Sequence, residues 1–294
     1  MSPTRKVVLT AALLVSGCVR AGFDSSLAGE QPTADQRVRD GGSSDLDTGS
    51  ADGSPDVCQT VQGSNGCLPQ PGCTVPASCK DVVLSLHFDN TAEWNESATR
   101  AHDFTGRGND ATCIPAECPV WTASGRHGGA FVFNGSQRFE IKNAPSLSIT
   151  GEVTVAAWFR PQTLEANWRP MVSKAQLNPE LSNYWLGHNG DTFWFVYKPD
   201  GQLDWVKPLA SPSQATGQWY HLVGIKDDGA NLLQLYVNGA PYQKTGVTQK
   251  LVADAGSLWI GWGPGDDHVT GVIDEVTIWN RRLSQAEVMT LYNQ

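Results

Sequence analysis

Residues 271–292 read G-V-I-D-E-V-T-I-W-N-R-R-L-S-Q-A-E-V-M-T-L-Y. Val272–Trp279 has the alternation of a strand with one face toward a core. Ser284 and Glu287 then stand at capping-box spacing, followed by Val288, Met289 and Leu291, which predicts a short helix. Working outward, similar β-rich runs recur upstream between turn signals, among them Val82–Phe88, Val153–Arg160, Thr192–Tyr197, Trp219–Lys226, Leu232–Val237 and Ser257–Trp262. Asn238-Gly239 after L-Q-L-Y-V is a strong hairpin signal. Many strands and one terminal helix predict an all-β chain, a sandwich of two antiparallel sheets with a short C-terminal helix.

The N-terminal end carries an address. Arg5 and Lys6 precede an apolar run, Val7–Val15, that is too short to span a bilayer, which needs roughly 20 residues. Val15-Ser16-Gly17-Cys18 resembles a bacterial lipobox. The resemblance implies a signal peptide at 1–17, lipidation of Cys18, and an exported chain held in the cell envelope by its lipid alone, at the outer membrane or cell surface. Residues 18–57 read as a linker of Gly, Ser, Asp, Ala, Thr and Pro. From Asp24 to Asp56 it holds eight acids and two arginines, a net −6. Such a segment buries too little apolar surface to fold, and like charges extend it. With a net charge of −9 over the whole chain, nucleic acid is not an expected partner.

The chain has seven cysteines. With Cys18 assigned to lipid, six remain in an exported protein, which favours disulfides. Cys58, Cys67, Cys73 and Cys79 form a cysteine-rich segment at 58–80, and three pairings remain open for them. Cys113 and Cys118 most simply pair with each other. The cluster has no C-x-x-C and no nearby histidine that would favour a metal site.

All eleven tryptophans fall in residues 81–294. Along this stretch run L-S-L-H-F-D-N (84–90), D-F-T-G-R-G-N-D-A (103–111), G-R-H-G-G-A-F-V-F-N-G (125–135), V-T-V-A-A-W-F-R-P (153–161), G-Q-W-Y-H-L-V-G-I-K (217–226), L-Y-V-N-G (235–239) and G-V-I-D-E-V-T-I-W-N-R-R-L-S-Q-A-E (271–287). Their order resembles the LamG-like jelly-roll family, within the concanavalin A-like lectin and glucanase fold. That resemblance implies a two-sheet antiparallel jelly roll over 81–294. It also implies a calcium site, with Asp103, Asn109 and Asp274 as the oxygen-bearing candidates and Asp89 as a further one. Calcium takes six to eight oxygens, and carboxylate, amide and carbonyl donors suit it. The alternative for the same residues is turn chemistry, with their side chains bound to local backbone.

Glucanases of this fold use two glutamates on one strand, in a pattern like E-x-D-x-x-E, and no such pattern occurs here. The adjacent Asp274 and Glu275 are expected on opposite sheet faces. No G-x-S-x-G, H-E-x-x-H or P-loop motif is present. A non-catalytic binding module is therefore expected. Trp158, Trp219 and Trp279 match family core positions, and His221 reads as a core histidine. Trp194 lies in an aromatic run, Trp205 follows a turn, and Trp262 is expected in a flexible polar loop. These three are the candidate ligand contacts, through stacking on sugar rings; the alternative is that they close a second face of the sandwich. The expected ligand is a carbohydrate or glycoconjugate bound with calcium assistance. The alternative is an envelope or extracellular protein met by an adhesion or structural module.

Overall fold

The computed structural model describes residues 81–177, 180–199, 206–207, 211–263 and 267–294. The expected signal peptide, lipidated Cys18, linker, cysteine segment 58–80 and Trp205 lie outside the described residues.

The strands are β1 (Val82–Leu86), β2 (Arg100–Ala101), β3 (Ala111–Thr112), β4 (Val120–Thr122), β5 (Ala130–Asn134) and β6 (Phe139–Ile141). They continue as β7 (Glu152–Pro161), β8 (Trp168–Leu177), β9 (Glu180–Asn189), β10 (Thr192–Lys198), β11 (Tyr220–Asp227) and β12 (Leu232–Val237). The last are β13 (Ala240–Lys244), β14 (Leu258–Ile260), β15 (Trp262–Gly263), β16 (Asp267–His268) and β17 (Thr270–Trp279), followed by helix α1 (Gln285–Tyr292). An eight-stranded sheet runs β13-β12-β11-β7-β17-β5-β4, with β1 also paired to β17. A seven-stranded sheet runs β10-β9-β8-β14-β6-β3-β2, and β15-β16 forms a small ribbon.

Strand β17 explains why the C-terminal stretch is so informative. It pairs with β7 along one edge and with β5 and then β1 along the other. Its apolar residues Ile273, Val276 and Ile278 enter the core between the sheets. There they join Phe133, Phe139, Phe159, Phe193, Phe195 and Leu235. At Gly224 on β11 the sheets approach so closely that a Cβ would collide with the Phe195 ring. Asn238 and Gly239 take φ of 50° and 78°, the two left-handed positions that a two-residue hairpin between β12 and β13 requires.

Ser284 caps α1 as expected: its hydroxyl accepts from Glu287 N, and the Glu287 carboxylate accepts from Ser284 N. The helix lies on the outer face of the eight-stranded sheet. Leu283, Val288 and Leu291 pack there with Ala156, Val223, Ile225, Tyr236 and Trp279. Trp279 is 1% exposed and Trp158 4%. Trp219 departs from the expectation of a core residue. It stands one position before β11, half-exposed, with the Arg160 guanidinium over its ring at 4.9 Å.

Candidate functional site

The outer face of the seven-stranded sheet has a different character. Strand alternation sends Leu258 and Ile260 into the core and Trp259 outward. Cross-strand register then places one straight row of residues across the whole sheet. Val196 on β10 is opposite Trp185 on β9, and Trp185 is opposite Ser173 on β8. Ser173 is opposite Trp259 on β14, and Trp259 is opposite Glu140 on β6. Glu140 is opposite Thr112 on β3, and Thr112 is opposite Arg100 on β2. The Ser173 hydroxyl, between the two tryptophans, is buried and has no hydrogen-bond partner among the described residues.

At the β10 end, Trp185 is flanked by Trp168, with ring centroids 5.4 Å apart, and Trp168 meets Trp194 at 5.8 Å. The Lys207 ammonium sits 4.9 Å over the Trp168 ring, a cation–π contact. Gly187 lacks a side chain, and the Trp185 indole lies against it. Trp194 is half-exposed, and its Nε1 donates to Thr192 Oγ1 at 3.0 Å.

Toward the other end lies a groove of about 320 Å³. Trp259 and Glu140 lie along it, with Thr112 beside them and Arg138 and Lys142 on the same strand line as Glu140. Cys113, Ile114 and Glu117 form its wall. Cys113 and Cys118 are joined by the expected disulfide, with Cα atoms 5.2 Å apart. Arg138 ties this wall to the sheet: its Nε pairs with Glu117 Oε2 at 2.6 Å and its backbone N–H donates to Glu117 O. The Arg138 guanidinium also lies 5.2 Å from both the Trp259 and Trp262 rings.

Trp262 corrects an expectation. It does not stand in a flexible polar loop but in β15, 8% exposed, edge-on to Trp259 at 4.6 Å. Its place is behind the exposed indole, bracing it. Trp259 was not singled out from the sequence. The available signal was the alternation Leu258-Trp259-Ile260, which points one large aromatic away from two core residues.

The expected calcium ligands separate into two places. Asp103 organises a loop: its carboxylate accepts from Ser85 N, Thr105 N, Thr105 Oγ1 and Asn109 N, at 2.8–3.2 Å. Asn109 donates its side-chain amide to Val83 O and Ser146 Oγ. A carboxylate ringed by N–H and O–H donors faces positive hydrogens, so this pair does not fit a cation. Asp274 lies elsewhere. Its Oδ2 accepts from Arg126 N at 2.8 Å and His127 N at 3.0 Å, and its Oδ1 from Glu275 N. Asp89 holds the same turn through Gly129 N at 2.8 Å.

A bulge between Asp274 and Thr277, with Glu275 at φ 50°, breaks the expected alternation. Glu275 consequently lines the same outer side as Trp158, Thr277 and Trp279. Burial, reinforced by the Glu275 charge and by Asp89, pushes the Asp274 carboxyl up to about 8. Burial also raises Glu275 and Asp89. His87 pairs with Glu275 Oε2 at 2.8 Å; burial alone would lower its imidazole, but the Glu275 charge leaves it raised. A cation would relieve that repulsion, but the Asp274 oxygens, like those of Asp103, are turned to backbone N–H donors. Among the described residues, no group of three or more His, Cys, Asp or Glu is arranged to hold a metal.

Glu275 borders a void of about 10 Å³ that is also lined by His221, Trp158, Thr277 and Leu291. That is room for one water molecule. The outer face of the eight-stranded sheet therefore has no space for a ligand there.

The sequence profile of the concanavalin A-like lectin/glucanases superfamily matches residues 133–289, and the chain belongs to that superfamily. No curated relative matches it. Among solved structures, it is similar to the binding domain of Paraclostridial Mosquitocidal Protein 1, at 15% identity and TM-score 0.57, over 72% of this chain and 52% of that one. It is also similar to domain 4 of AbnA, an extracellular arabinanase from Geobacillus stearothermophilus, solved with arabinotriose. That match has 20% identity and TM-score 0.53, over 72% of this chain and 98% of that one. A third similar structure is the botulinum neurotoxin serotype D ligand-binding domain with N-acetylneuraminic acid, at 14% identity and TM-score 0.55, covering 72% and 50%. The chain spans about half the length of these two toxin structures. At such identities the likeness is one of fold.

Proposed function

We propose that this superfamily member is a non-catalytic binding module that holds carbohydrate on the outer face of its seven-stranded sheet. One observation carries the reading: the half-exposed Trp259 shares a cross-strand row with Glu140 and Thr112, and the three line one groove of about 320 Å³. Aromatic planes take the apolar faces of sugar rings, and adjacent carboxylate and hydroxyl groups take their hydroxyls. Arabinotriose and N-acetylneuraminic acid in two similar structures support the ligand class. The N-terminal sequence supports a lipid anchor at Cys18, which would display the module from the bacterial envelope on an acidic tether.

Calcium belongs to this proposal only as a structural ion at Asp89 and Asp274. It would draw the raised Asp274 carboxyl into its charged form and bridge it to Asp89 across the 125–129 turn, with carbonyls or water completing its shell. Calcium should then raise the melting temperature of the wild-type chain and not that of Asp274→Asn. An equal rise in both would remove the ion from the account.

A second reading, adhesion to an envelope or extracellular protein, draws on Ile114 and Val120, which are 60% and 63% exposed beside the disulfide loop. The deciding test is binding of the chain to a broad glycan array, with calcium and with a chelator. Glycan binding that is lost in Trp259→Ala supports the carbohydrate site. Absence of glycan binding in both conditions would sink it and move the weight to the protein partner, to be sought by cross-linking at the cell surface.

A further inference from the structure

We propose that the groove beside Trp259 takes a single N-acetylated amino sugar, and that Ile114 is the residue that selects its acetyl group. This deepens the carbohydrate reading and rests on it. A volume of about 320 Å³ stands at the small end of ligand sites, which suits one sugar residue. The side chains concerned all reach solvent: Trp259, Glu140 and Arg138 are half-exposed, and Ile114 is 60% exposed. A lone exposed isoleucine is ordinary on a protein surface. This one lines a groove whose other sides are an indole and polar groups.

Ile114 is held in place from several directions. The Cys113–Cys118 disulfide closes its turn, and Glu117 N donates to Ile114 O at 2.8 Å. Arg138 N donates in turn to Glu117 O at 2.9 Å. The Ile114 turn is thereby tied to Arg138, whose guanidinium lies 5.2 Å from the Trp259 ring. Glu140 stands two residues further along the same line and directly opposite Trp259. Its Oε1 accepts from Ser257 Oγ at 2.6 Å, which leaves Oε2 as an acceptor for a ligand. Arg138 turns its Nε to Glu117 and keeps Nη hydrogens to donate. One aromatic plane, one acceptor, one donor and one apolar side chain therefore meet in the groove. An acetamido sugar answers all four: its ring for Trp259, its N–H for Glu140, its carbonyl oxygen for Arg138 and its methyl for Ile114. A plain hexose gives Ile114 nothing. A free amino sugar sets a second cation beside Arg138.

The experiment is an NMR titration of the full chain with the methyl glycosides of N-acetylglucosamine, N-acetylgalactosamine, glucose, galactose and glucosamine. One N-acetylated glycoside should bind at least about tenfold more tightly than its parent hexose, through two added hydrogen bonds and one buried methyl. Ile114→Ser should cut that preference roughly fourfold, the worth of one methyl, and leave affinity for the parent hexose within about twofold. Ile114→Val should keep the preference. Circular dichroism checks that each variant is folded, and the wild-type series tests the acetyl group without any variant. Equal affinity for N-acetylated and parent sugars overturns the acetyl assignment while leaving the carbohydrate reading intact. A preference that survives Ile114→Ser overturns the role of Ile114. Tightest binding of the glucosamine glycoside overturns the amide. Failure of all five sugars overturns this inference, and the glycan array then decides whether the underlying reading falls with it.

Discussion

The two sheets carry tryptophans on their outer faces, and the faces have opposite fates. On the eight-stranded sheet Trp158 and Trp279 are covered, chiefly by α1, and the void beside them is water-sized. On the seven-stranded sheet Trp185 is as buried as Trp158, but Trp168, Trp194 and Trp259 stay half-exposed, and a groove of about 320 Å³ opens beside Trp259. The residue type is the same, so its chemistry alone does not decide between core and site. What decides is whether another element lies over it.

If that contrast is right, mutations on the two faces should separate stability from binding. The largest effect is expected for Trp279→Ala, which leaves a cavity beneath the helix. It should lower unfolding free energy by about 3–5 kcal/mol in urea titration, with sugar affinity retained by the molecules that remain folded. Trp259→Ala should do the reverse. Loss of a stacking platform should weaken glycan binding by about 2 kcal/mol, roughly thirtyfold in Kd, while stability changes by less than about 1 kcal/mol. If Trp259→Ala unfolds the chain as readily as Trp279→Ala does, both faces are structural and the contrast collapses.

Acid should act on the covered face. Burial, with help from His127 and Arg126, holds the His221 imidazole down at about 3. It stacks on Tyr292 and meets the Trp158 ring at a tilt, with centroids 5.0 Å apart. Between its folded value and about 6.5 the unfolded chain binds a proton and the native chain does not. Stability therefore falls as pH drops below about 6.5, by about 1.4 kcal/mol per unit from this group. His188, lowered by burial to about 4, adds to the same slope. His221→Phe should flatten the acid slope seen in thermal melts at stepped pH. An unchanged slope would mean that His221 is not held neutral beneath the helix. The smallest effect is expected at the cap: Ser284→Ala should cost about 1 kcal/mol. A matching loss of sugar affinity in that variant would show that the two faces are coupled after all.

Much of the covered face was legible. Period-two alternation in Val272–Trp279 and the Ser284–Glu287 capping box are local patterns; the fold realised the cap in full and the strand with its alternation broken by the bulge at Asp274–Thr277. The open face was legible only in part. The sequence pointed to Trp194 and Trp262, and the first lies on that face while the second braces it from behind. Trp259, the residue on the groove, was passed over because its neighbours are apolar and its strand reads as core. Asp103 and Asn109 were grouped with Asp274 as one expected ligand set across two motifs, yet they close a loop of their own, while Asp274 shares its turn with Asp89. The left-handed φ at Glu275 was beyond reach, because a bulge is set by how β17 registers against β7.

By itself the sequence determined the fold class, the terminal strand and helix, the hairpin at Asn238-Gly239 and the Cys113–Cys118 disulfide. Each follows from residues close together in the chain, through periodicity, capping, backbone preference or short spacing. The tertiary structure alone decided which tryptophans are buried, which acids meet, and that Trp185, Ser173, Trp259, Glu140 and Thr112 form one line. Those outcomes depend on strand order and register between segments far apart in sequence, and both are fixed by the packing of two whole sheets.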